Sequence, residues 1–413
     1  MKPLARLFSL IAVGFLYFLF IYPLGAADFS FQQWLQSLGP QAEQLGVSRS
    51  TFDAAVRGLV PDLSLPDLAL PGRPEKPPPG QPEFVQTPEQ YLKESSLARL
   101  AERGRTLAVQ HRDTLARIEK QFGVPGNVLL AIWGRETDFG GERQGHDAIQ
   151  VLATQAYTGQ RKDFFRTEFL YALKMLQDGV PRARLRSSWG GAMGMTQFLP
   201  TEFYKFGADF DGDGKVDIWQ SIPDALASAA KQLAGKGWQP HHAWAYEVRT
   251  PKGVDCTVAE PSRTAPLREW IARGYAPLAR AAASADLGEP ASLLMPEGSY
   301  GPAFLTLKNY YVIKEYNYSD LYVLFVGNLA DRIAGGGGFV TPWRRNSQLR
   351  SSDVEQMQRR LAALGIYRDK IDGKAGMLTR AAIGRYQKAS GLKLDCWPSA
   401  AVLDHMHKAD GRK

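Results

Sequence analysis

The sequence has little cysteine and no concentrated block of positive charge. The formal net charge is +8, from 50 Lys and Arg against 42 Asp and Glu, and no run of Lys and Arg concentrates it. Because nucleic-acid-binding proteins commonly carry a clustered basic stripe, the pattern argues against a nucleic-acid partner. The basic excess suits an anionic surface or polymer, but only weakly.

Cysteine occurs at two positions, Cys256 and Cys396. In an oxidising compartment the two residues could form one disulfide. Their separation in sequence says nothing about the geometry that decides whether a bridge can form. The sequence therefore leaves their pairing open.

After residue 28 the chain lacks an apolar run long enough to span a bilayer, but the N-terminus has one. Lys2 and Arg6 precede an apolar stretch at 7–21, and the small residues LGAA follow at 24–27. This pattern is typical of a secretory signal peptide, which we expect to comprise residues 1–27. An uncleaved membrane anchor is the alternative, because the stretch is long for a signal. No cysteine follows the small residues, so a lipid-modified N-terminus is not expected.

A predicted helix near residue 130 places a carboxylate on its apolar side. Val128, Ile132 and Glu136 are spaced by four, so on a helix they share one face. A carboxylate on a core-facing stripe is desolvated, which raises its pKa. Asp138, two residues further on, must point elsewhere. This spacing makes Glu136 a candidate functional acid.

The same helix has a second interpretation, in which Glu136 is a buried glutamate paired with a structural arginine. Considered on the helix alone, that interpretation is favoured over the functional one. We expect the glycines at 140–141 to end the helix.

The glycine- and alanine-rich segment SSWGGAMGMTQFLP, at 187–200, favours a functional site. Its small residues let the backbone approach a ligand closely, and Ser188 and Gln197 add hydrogen-bonding groups. Such a loop suits a polar ligand with many hydroxyl groups. By itself it could equally form a tight helix–helix contact.

The segment DFDGDGKVDIWQ, at 209–220, is close to an EF-hand calcium loop. Aspartates stand at loop positions 1, 3 and 5, and a glycine stands at position 6. Position 12 departs from the pattern, because a neutral glutamine replaces the bidentate glutamate, although Asp217 at position 9 could compensate. We expect a weak calcium site, with a merely hydrated acidic turn as the alternative. The candidate ligands are Asp209, Asp211, Asp213, the carbonyl of Lys215, and Gln220.

Aromatic residues are dense in the segment 309–332. Tyr316, Asn317, Tyr318 and Tyr322 offer ring faces and polar tips together, which suits sugar rings with an apolar face and a polar rim. Packing in the protein core is the competing interpretation.

Two stretches suggest boundaries in the chain. Residues 61–82 hold eight prolines and predict an extended connection. GGGG at 335–338, with the segment that follows it, predicts a flexible junction. Residues 351–407 then show paired helical patterns, enough for a small helical domain.

Taken in order, these motifs resemble the lytic murein transglycosylase B family of bacterial cell-wall enzymes. The resemblance covers roughly residues 28–332 and rests on AIWGRETDFGG, SSWGGAMGMTQFLP, DFDGDGKVDIW, SIPDALASAA, KGW and EYNYSDLY. The tail, with VEQMQRRLAALGIY, IDGKAGMLTRAAIGRYQ and LDCWPSAAVL, resembles the small three-helix peptidoglycan-binding domain of wall enzymes.

The resemblance implies a mainly α protein. Its parts are a lysozyme-like catalytic domain with a helical extension and an EF-hand-like loop, and a small three-helix C-terminal domain. The expected boundaries are 28–335 for the catalytic domain, 336–348 for a linker and 349–413 for the peptidoglycan-binding domain.

Enzymes of this family cleave the β-1,4 bond between N-acetylmuramic acid and N-acetylglucosamine without water, leaving a 1,6-anhydro end. The resemblance implies that one glutamate does the proton chemistry, and by its place in the motif this residue is Glu136. The residues that match the family's substrate-side groups are Ser188, Gln197, Tyr316, Asn317 and Tyr322, with Tyr91 in PEQYL as a less firmly anchored match.

The family also sets expectations for location and partners. It implies a periplasmic monomer that acts on peptidoglycan glycan strands and needs no cofactor for its chemistry, with calcium in a structural role. Cell-wall synthesis or division complexes are candidate protein partners. The chain departs from the family at Lys231–Gln232, where the family usually has an Asn-Tyr pair. One tyrosine of the family's cleft is therefore expected to be absent.

The residues also suggest how a single acid could suffice. Ordinary glycosidases use a second carboxylate as base or nucleophile, and the motifs beside Glu136 supply none. A lone acid is sufficient if the C6 hydroxyl of the sugar is the nucleophile, because Glu136 can then accept its proton. The alternatives are a lysozyme-like hydrolase, with a carboxylate from another loop, and a non-catalytic wall-binding protein, against which an intact Glu136 argues.

Overall fold

The computed structural model describes residues 25–69, 86–142, 144–344 and 349–410. The helices are α1 (Gly25–Ser37), α2 (Gly39–Gln44), α3 (Arg49–Val56), α4 (Pro88–Tyr91), α5 (Glu94–Gln110), α6 (Arg112–Phe122), α7 (Gly126–Thr137), α8 (Ala148–Thr158), α9 (Lys162–Gln177), α10 (Pro200–Phe206), α11 (Ile222–Gly235), α12 (Leu267–Ala272), α13 (Lys308–Lys314), α14 (Asp320–Ile333), α15 (Ser351–Ala363), α16 (Met377–Ala389) and α17 (Ala400–Asp410). The strands are β1 (His146–Asp147), β2 (Arg186–Ser187), β3 (Ala245–Arg249), β4 (Thr264–Pro266), β5 (Ala276–Pro277), β6 (Pro290–Leu294) and β7 (Ala303–Thr306).

The central helical body is formed by α5, α7 and α14, with α6 and α11 beside them. Leu129 and Ile132 of α7 are fully buried and share one core with Val326 and Leu329 of α14. Every residue from Val128 to Gly134 is buried, so α7 is enclosed by its neighbours on all sides, whereas the sequence predicted a single buried stripe. The helix that carries Glu136 is therefore held in place by the helices packed around it.

A second helical core lies on α8 and α9, against which α1, α2 and α3 pack. Phe31 of α1, Phe52 of α3 and Phe165 of α9 are completely buried there. This group of helices corresponds to the expected helical extension. Beside these helices, β1 and β2 form a short antiparallel pair, and β2 leads directly into the 187–200 loop.

A five-stranded antiparallel sheet, in the order β4-β6-β7-β3-β5, was not anticipated. In β3 and β7, Tyr246 pairs with Leu305, and in β6 and β7, Leu293 pairs with Leu305. Four consecutive residues are buried in each of these strands. Short, continuously apolar runs cannot be told from buried helix by periodicity, which explains the omission.

The C-terminal part forms the three helices expected, α15, α16 and α17, around a small core of its own. Met357 and Leu361 of α15 and Ile383 of α16 are fully buried in that core. The mainly α prediction and the three-helix prediction are confirmed. The boundaries 28–335, 336–348 and 349–413 stay a prediction.

The expectation of a flexible junction with few contacts is wrong for the residues after the four glycines. The backbone N–H groups of Val340 and Thr341 donate to the carboxylate of Glu247 in β3, at 2.7 Å each. The N–H of Arg344 donates to Glu297 at 2.8 Å. Phe339 and Trp343 pack on one another nearby. The segment is bound to the sheet because buried carboxylates satisfy its backbone donors.

The two cysteines, left open by the sequence, form a disulfide between the main body and the C-terminal helices. Cys256 belongs to the core beneath the sheet, and Cys396 joins the same core. Ion pairs between Arg385 and Glu260 and between Lys388 and Asp255 lie beside the bond. The C-terminal helices are therefore docked on the body.

The predicted signal peptide falls largely on residues 1–24, outside the described residues, as does most of the proline-rich stretch. Residues 25–27 form the start of α1. Across the part of the chain that the structure describes, no helix combines the length and the apolar character that a membrane crossing needs.

Candidate active site

Glu136 lies in the last turn of α7 and is half-buried. Its carboxylate Oε1 accepts a hydrogen bond from the phenol of Tyr322 in α14. Ile132, one turn earlier on the same face, is completely buried, and Glu136 lies just beyond the continuously buried run 128–134. The carboxylate thus meets a polar partner at the edge of the core.

The helix ends earlier than the glycine pair at 140–141, where we expected it to end. Asp138 and Phe139 already adopt left-handed conformations, with φ of 49° and 53°. Phe139 folds back over Gly134, where an added Cβ would lie 2.7 Å from the ring. Arg99 binds both oxygens of Asp138 at 2.9 and 3.0 Å. As predicted, Asp138 points away from Glu136, and its ion pair holds the chain reversal in place.

Tyr322 is 1% exposed, and its hydroxyl group donates a hydrogen bond to the carboxylate of Glu136. Desolvation by burial and the neighbouring charge of Glu136 raise the pKa of Tyr322 well above its ordinary value. The phenol therefore remains protonated throughout the physiological pH range, and it can always donate to Glu136. Tyr322 is a fixed hydrogen-bond donor for the acid.

Tyr316 stacks on Tyr322, with ring centroids 6.5 Å apart and an interplanar angle of 9°. Its hydroxyl donates to the carbonyl of Thr196 at 2.8 Å. Desolvation and the charges of Glu136 and Glu202 raise the pKa of Tyr316 well above its ordinary value. Two neutral tyrosine rings therefore stand side by side next to the carboxylate. Both were among the residues singled out in the sequence.

The 187–200 loop abuts the end of α7 through backbone oxygens. The hydroxyl of Thr137, the residue after Glu136, donates to the carbonyl of Met195 at 2.8 Å. Gln197 has a left-handed backbone, with φ of 57°, and its side-chain amide donates to the carbonyl of Gly194 at 3.1 Å. Thr137, which the sequence analysis missed, therefore joins this loop to the helix of Glu136.

Ser188 is half-buried in the same loop. Its hydroxyl accepts a hydrogen bond from the N–H of Ala192 at 3.2 Å. The backbone N–H of Ser188 also donates to the carbonyl of Ala192, at 2.9 Å. These bonds give the turn around Gly191 a defined shape, and within the described ranges the hydroxyl proton of Ser188 has no acceptor.

Tyr91, at the end of α4, is buried behind the site. Its hydroxyl accepts two hydrogen bonds from Arg135, at 3.0 and 2.7 Å, and the Arg135 guanidinium lies over the Tyr91 and Phe325 rings. Burial by itself would lower the pKa of Arg135, but Tyr91 and Glu136 raise it above its ordinary value. A permanently charged guanidinium therefore stands directly before Glu136 in the chain.

Asn317 and Tyr318 follow Tyr316 in the loop between α13 and α14. Asn317 is half-buried, and its carbonyl accepts from the N–H of Ser319 at 2.7 Å. Tyr318 is 72% exposed. The predicted aromatic cluster is thus divided, because Tyr316 and Tyr322 lie against the acid while Tyr318 faces solvent.

The three aspartates of the EF-hand-like loop come together as predicted. Carboxylate oxygens of Asp209, Asp211 and Asp213 all lie within 4.8 Å of one another, on exposed side chains. Asp209 also accepts from the N–H groups of Gly212 and Gly214, at 2.8 and 2.9 Å. Gly214 has φ of 87°, which a glycine at loop position 6 accommodates. The donors are hard oxygens, which fit a hard cation such as calcium.

Gln220, the loop's twelfth residue, interacts with an arginine. Its Oε1 accepts from Arg184 at 2.9 Å, and the same guanidinium binds Asp217 at 2.9 Å. The Asp217 carboxylate also accepts from the N–H groups of Trp219 and Gln220. Arg184, which the sequence analysis missed, thus engages positions 9 and 12 of the loop.

Asp224 organises the loop from inside the protein and was also missed. It is completely buried and accepts from the N–H groups of Phe210, Asp211 and Asp217, at 2.8, 3.2 and 2.9 Å. The signal in the sequence is SIPD, in which Ser221 caps α11 by accepting from the N–H of Asp224. A serine followed three residues later by an acid marks a helix start, and here the acid also reaches back into the loop.

Lys231 and Gln232, the departure from the family pattern, lie on α11. Lys231 donates to the carbonyl of Gly207 at 3.0 Å, and the buried Gln232 donates to Glu202 at 2.7 Å. Lys236 binds the other oxygen of Glu202 at 3.2 Å. Glu202 thus joins α10 to α11, close enough to Tyr316 to affect its pKa.

Two family patterns match this chain. A transglycosylase SLT domain matches residues 30–331, and a putative peptidoglycan-binding domain matches residues 350–406. A curated relative is the membrane-bound lytic murein transglycosylase B of Escherichia coli strain K12, which is 29% identical over 234 residues. The alignment covers 54% of this chain and 61% of that protein, so less than two thirds of the relative's length is matched.

Solved structures resemble this chain over more of its length. SltB3 from Pseudomonas aeruginosa, in complex with NAG-anhNAM-pentapeptide, has a TM-score of 0.81 at 39% identity and covers 91% of this chain and 99% of its own. The same protein in complex with NAG-NAM-pentapeptide has a TM-score of 0.80 at 38% identity, with the same coverage.

A more distant likeness concerns the fold alone. The E. coli lytic transglycosylase Slt35, in complex with calcium, has a TM-score of 0.54 at 22% identity and covers 75% of this chain and 94% of its own. With the transglycosylase domain match over most of the chain, these likenesses confirm the expected lysozyme-like catalytic fold. The chain belongs to the lytic murein transglycosylase B family.

Proposed function

We propose that this protein is a lytic transglycosylase that cleaves the β-1,4 bond between N-acetylmuramic acid and N-acetylglucosamine in peptidoglycan. The observation that carries the proposal is the half-buried Glu136, whose carboxylate accepts a hydrogen bond from a buried, permanently protonated tyrosine. Tyr316 and Tyr322 provide a stacked aromatic pair beside it. An acid next to ring faces suits a sugar ring, which has apolar faces and polar edges.

In the proposed reaction, protonated Glu136 donates its proton to the glycosidic oxygen, and the bond from that oxygen to C1 of the muramic acid breaks. The C6 hydroxyl of the same sugar then attacks C1 and gives its proton to the Glu136 carboxylate. The products are a chain ending in 1,6-anhydromuramic acid and a chain with a free 4-hydroxyl group. The acid returns to its protonated form, so the reaction consumes no water and needs no second carboxylate.

The hydrolase alternative requires a second carboxylate that holds a water. Glu202 is a candidate, because its charge reaches Tyr316. Both of its oxygens are engaged, however, by Gln232 and Lys236. The geometry therefore favours a structural bridge for Glu202 and a single acid in the reaction.

The product distribution tests the proposed reaction directly. We expect fragments released from purified peptidoglycan to end in 1,6-anhydromuramic acid, 18 mass units below the hydrated form (about the mass of one water). Mass spectrometry of the released fragments is the measurement. E202Q should give the same anhydro products as the wild type. Reducing ends from the wild type, lost in E202Q, would establish the hydrolase instead.

We propose that the remaining predicted residues surround the glycan strand. The hydroxyl proton of Ser188 and the amide of Gln197 lie in the loop held against α7, and Asn317 adjoins Tyr316. These groups suit the hydroxyl and acetamido groups of amino sugars. Tyr91 would act indirectly, because its hydroxyl is used by Arg135 behind the acid.

We propose a structural calcium ion at the carboxylates of Asp209, Asp211 and Asp213. The three side chains are exposed and grouped within 4.8 Å, which is the arrangement a hard cation needs. The carbonyl of Lys215 and the side chain of Gln220 complete the proposed ligand set. Because Gln220 is neutral and bound to Arg184, the affinity should be weak.

Calcium should therefore raise the thermal unfolding temperature modestly, at the roughly millimolar to sub-millimolar concentrations typical of extracellular sites. The measurement is a thermal melt in calcium and in a chelator. D211A should erase the difference, because it removes one of three charged ligands. D113A, which removes an exposed carboxylate on α6, is the matched control and should keep the shift. Equal melts of the wild type at several millimolar calcium would mean that the loop is only structural.

We further propose that the C-terminal helices bind the peptidoglycan strand and that the protein works as a monomer in the periplasm. The match to a putative peptidoglycan-binding domain supports the first part. Wall synthesis or division complexes are the proposed protein partners. The disulfide and the Arg380–Asp320 ion pair that link these helices to the main body support a model in which binding would take place next to cleavage.

A further inference from the structure

The loop that carries Tyr316 and Asn317 is closed at its base by one buried carboxylate, Asp320. Lys314, the last residue of α13, donates to Asp320 Oδ1 at 2.6 Å, and Asp320 is the first residue of α14. The Tyr310 hydroxyl donates to the same oxygen at 2.7 Å. The ion pair thus joins the two ends of the loop and fixes where α14 begins.

The second oxygen of Asp320 is bound by the C-terminal helices. Arg380 of α16 donates to Oδ2 at 3.1 Å, and both side chains are 10% exposed. Burial alone would raise the pKa of Asp320, but the charges of Lys314 and Arg380 hold it well below its usual range. Arg380 is itself held by a bond to the carbonyl of Ala375 at 2.5 Å. A fixed guanidinium from the C-terminal helices therefore completes the base of an active-site loop.

The path from Arg380 to the proposed acid is short. Asp320 lies two residues before Tyr322, and Tyr322 donates to Glu136. Tyr322 also stacks on Tyr316, which lies in the loop that Asp320 closes. A shift of Asp320 would therefore move both rings relative to the carboxylate. Displacements of about 1 Å at catalytic groups can reduce turnover as much as 100-fold.

We propose that Arg380 is a positioning residue for cleavage: through Asp320 it holds the aromatic pair of Tyr316 and Tyr322 against Glu136. The C-terminal helices then contribute to turnover on short soluble glycans, in addition to any retention on the insoluble wall. This inference rests on the proposed function, because it takes Glu136 as the acid.

The test uses the full-length protein and soluble peptidoglycan fragments. R380M should lower kcat roughly 10- to 100-fold, with KM and sedimentation with insoluble sacculi unchanged. R380K keeps a positive charge near Asp320 and should recover most of kcat. R385M is the matched control, because it removes another ion pair of the same interface, the one with Glu260, and should leave kcat unchanged.

A double-mutant cycle separates positioning from general destabilisation. In a D320N background, R380M should cause no further loss of kcat, since Arg380 acts through that carboxylate. Three results would overturn the inference. R380M could keep the wild-type kcat, or R380M and R385M could lose kcat equally. The losses of kcat in D320N and R380M could also add in the double variant.

If R380M does not fold, R380K and R385K are compared by amide hydrogen exchange and kcat. Faster exchange at residues 315–322 in R380K alone, with a small loss of kcat, is expected, and unchanged values in both would overturn the inference.

E136Q is assayed in parallel. Full activity of E136Q would remove the proposed chemistry, whereas an inactive E136Q beside a normal R380M removes only the role of Arg380.

Discussion

Replacement of Glu136 by glutamine should abolish cleavage of glycan strands while the fold stays intact. Glutamine keeps the size of the side chain and can still accept a hydrogen bond from Tyr322, but it has no acidic proton to give. Proton transfer by a positioned acid typically contributes about 10²–10⁴-fold to a rate. We expect at least that loss, because the proposed reaction uses the same residue as acid and then as base.

The measurement is release of anhydro-ended fragments from purified peptidoglycan, with circular dichroism and thermal melts to verify folding. E142Q is the matched control, because Glu142 is an exposed carboxylate just beyond the same chain reversal. It should cleave like the wild type. Substantial cleavage by E136Q would show that another group is the acid.

Loss of the Cys256–Cys396 bond should destabilise the protein strongly. The bond closes a sequence separation of 140 residues, for which the chain-entropy model gives about 5 kcal/mol of stabilisation as an upper expectation. The double variant C256S/C396S should therefore unfold at a clearly lower denaturant concentration. Ion pairs at the same interface, including Arg380 with Asp320, should keep the C-terminal helices docked under native conditions.

Denaturant unfolding of the oxidised wild type, the reduced wild type and the double variant checks this prediction. The reduced wild type should match the double variant, since both lack only the covalent link. If instead the reduced and oxidised wild type unfold at the same concentration, the bond contributes nothing to stability. A difference confined to C256S/C396S would mean that the serines disturb the core, where both cysteines are 1% exposed.

Local spacing predicted the parts of the site that lie within one element. The i, i+4 pattern predicted the helix of Glu136 and put that residue on the same face as Val128 and Ile132, both of which are buried. Its half-buried position comes from its place in the last turn, since every residue from 128 to 134 is buried whichever face it occupies. The spacing of Asp209, Asp211 and Asp213 predicted a cluster, because loop positions 1, 3 and 5 converge on one point.

Elements with little local signal were missed. The strands β3, β6 and β7 are short runs of buried residues, which carry no alternation to tell them from helix. The segment after the four glycines looked flexible by composition. Its backbone donors are held by Glu247 of β3 and by Glu297, which follows β6, and no local pattern indicates that either acid lies beside this segment.

The sequence by itself determined the helix of Glu136, the aspartate loop and the three C-terminal helices, because each depends on residues a few positions apart. Only the tertiary structure decided that Tyr322 meets Glu136 across 186 residues, that Cys256 bonds Cys396, and that Arg380 completes the base of the Tyr316 loop. Contacts of that kind depend on how whole helices pack, and packing is set by the summed burial of many side chains. No spacing between two residues contains that information.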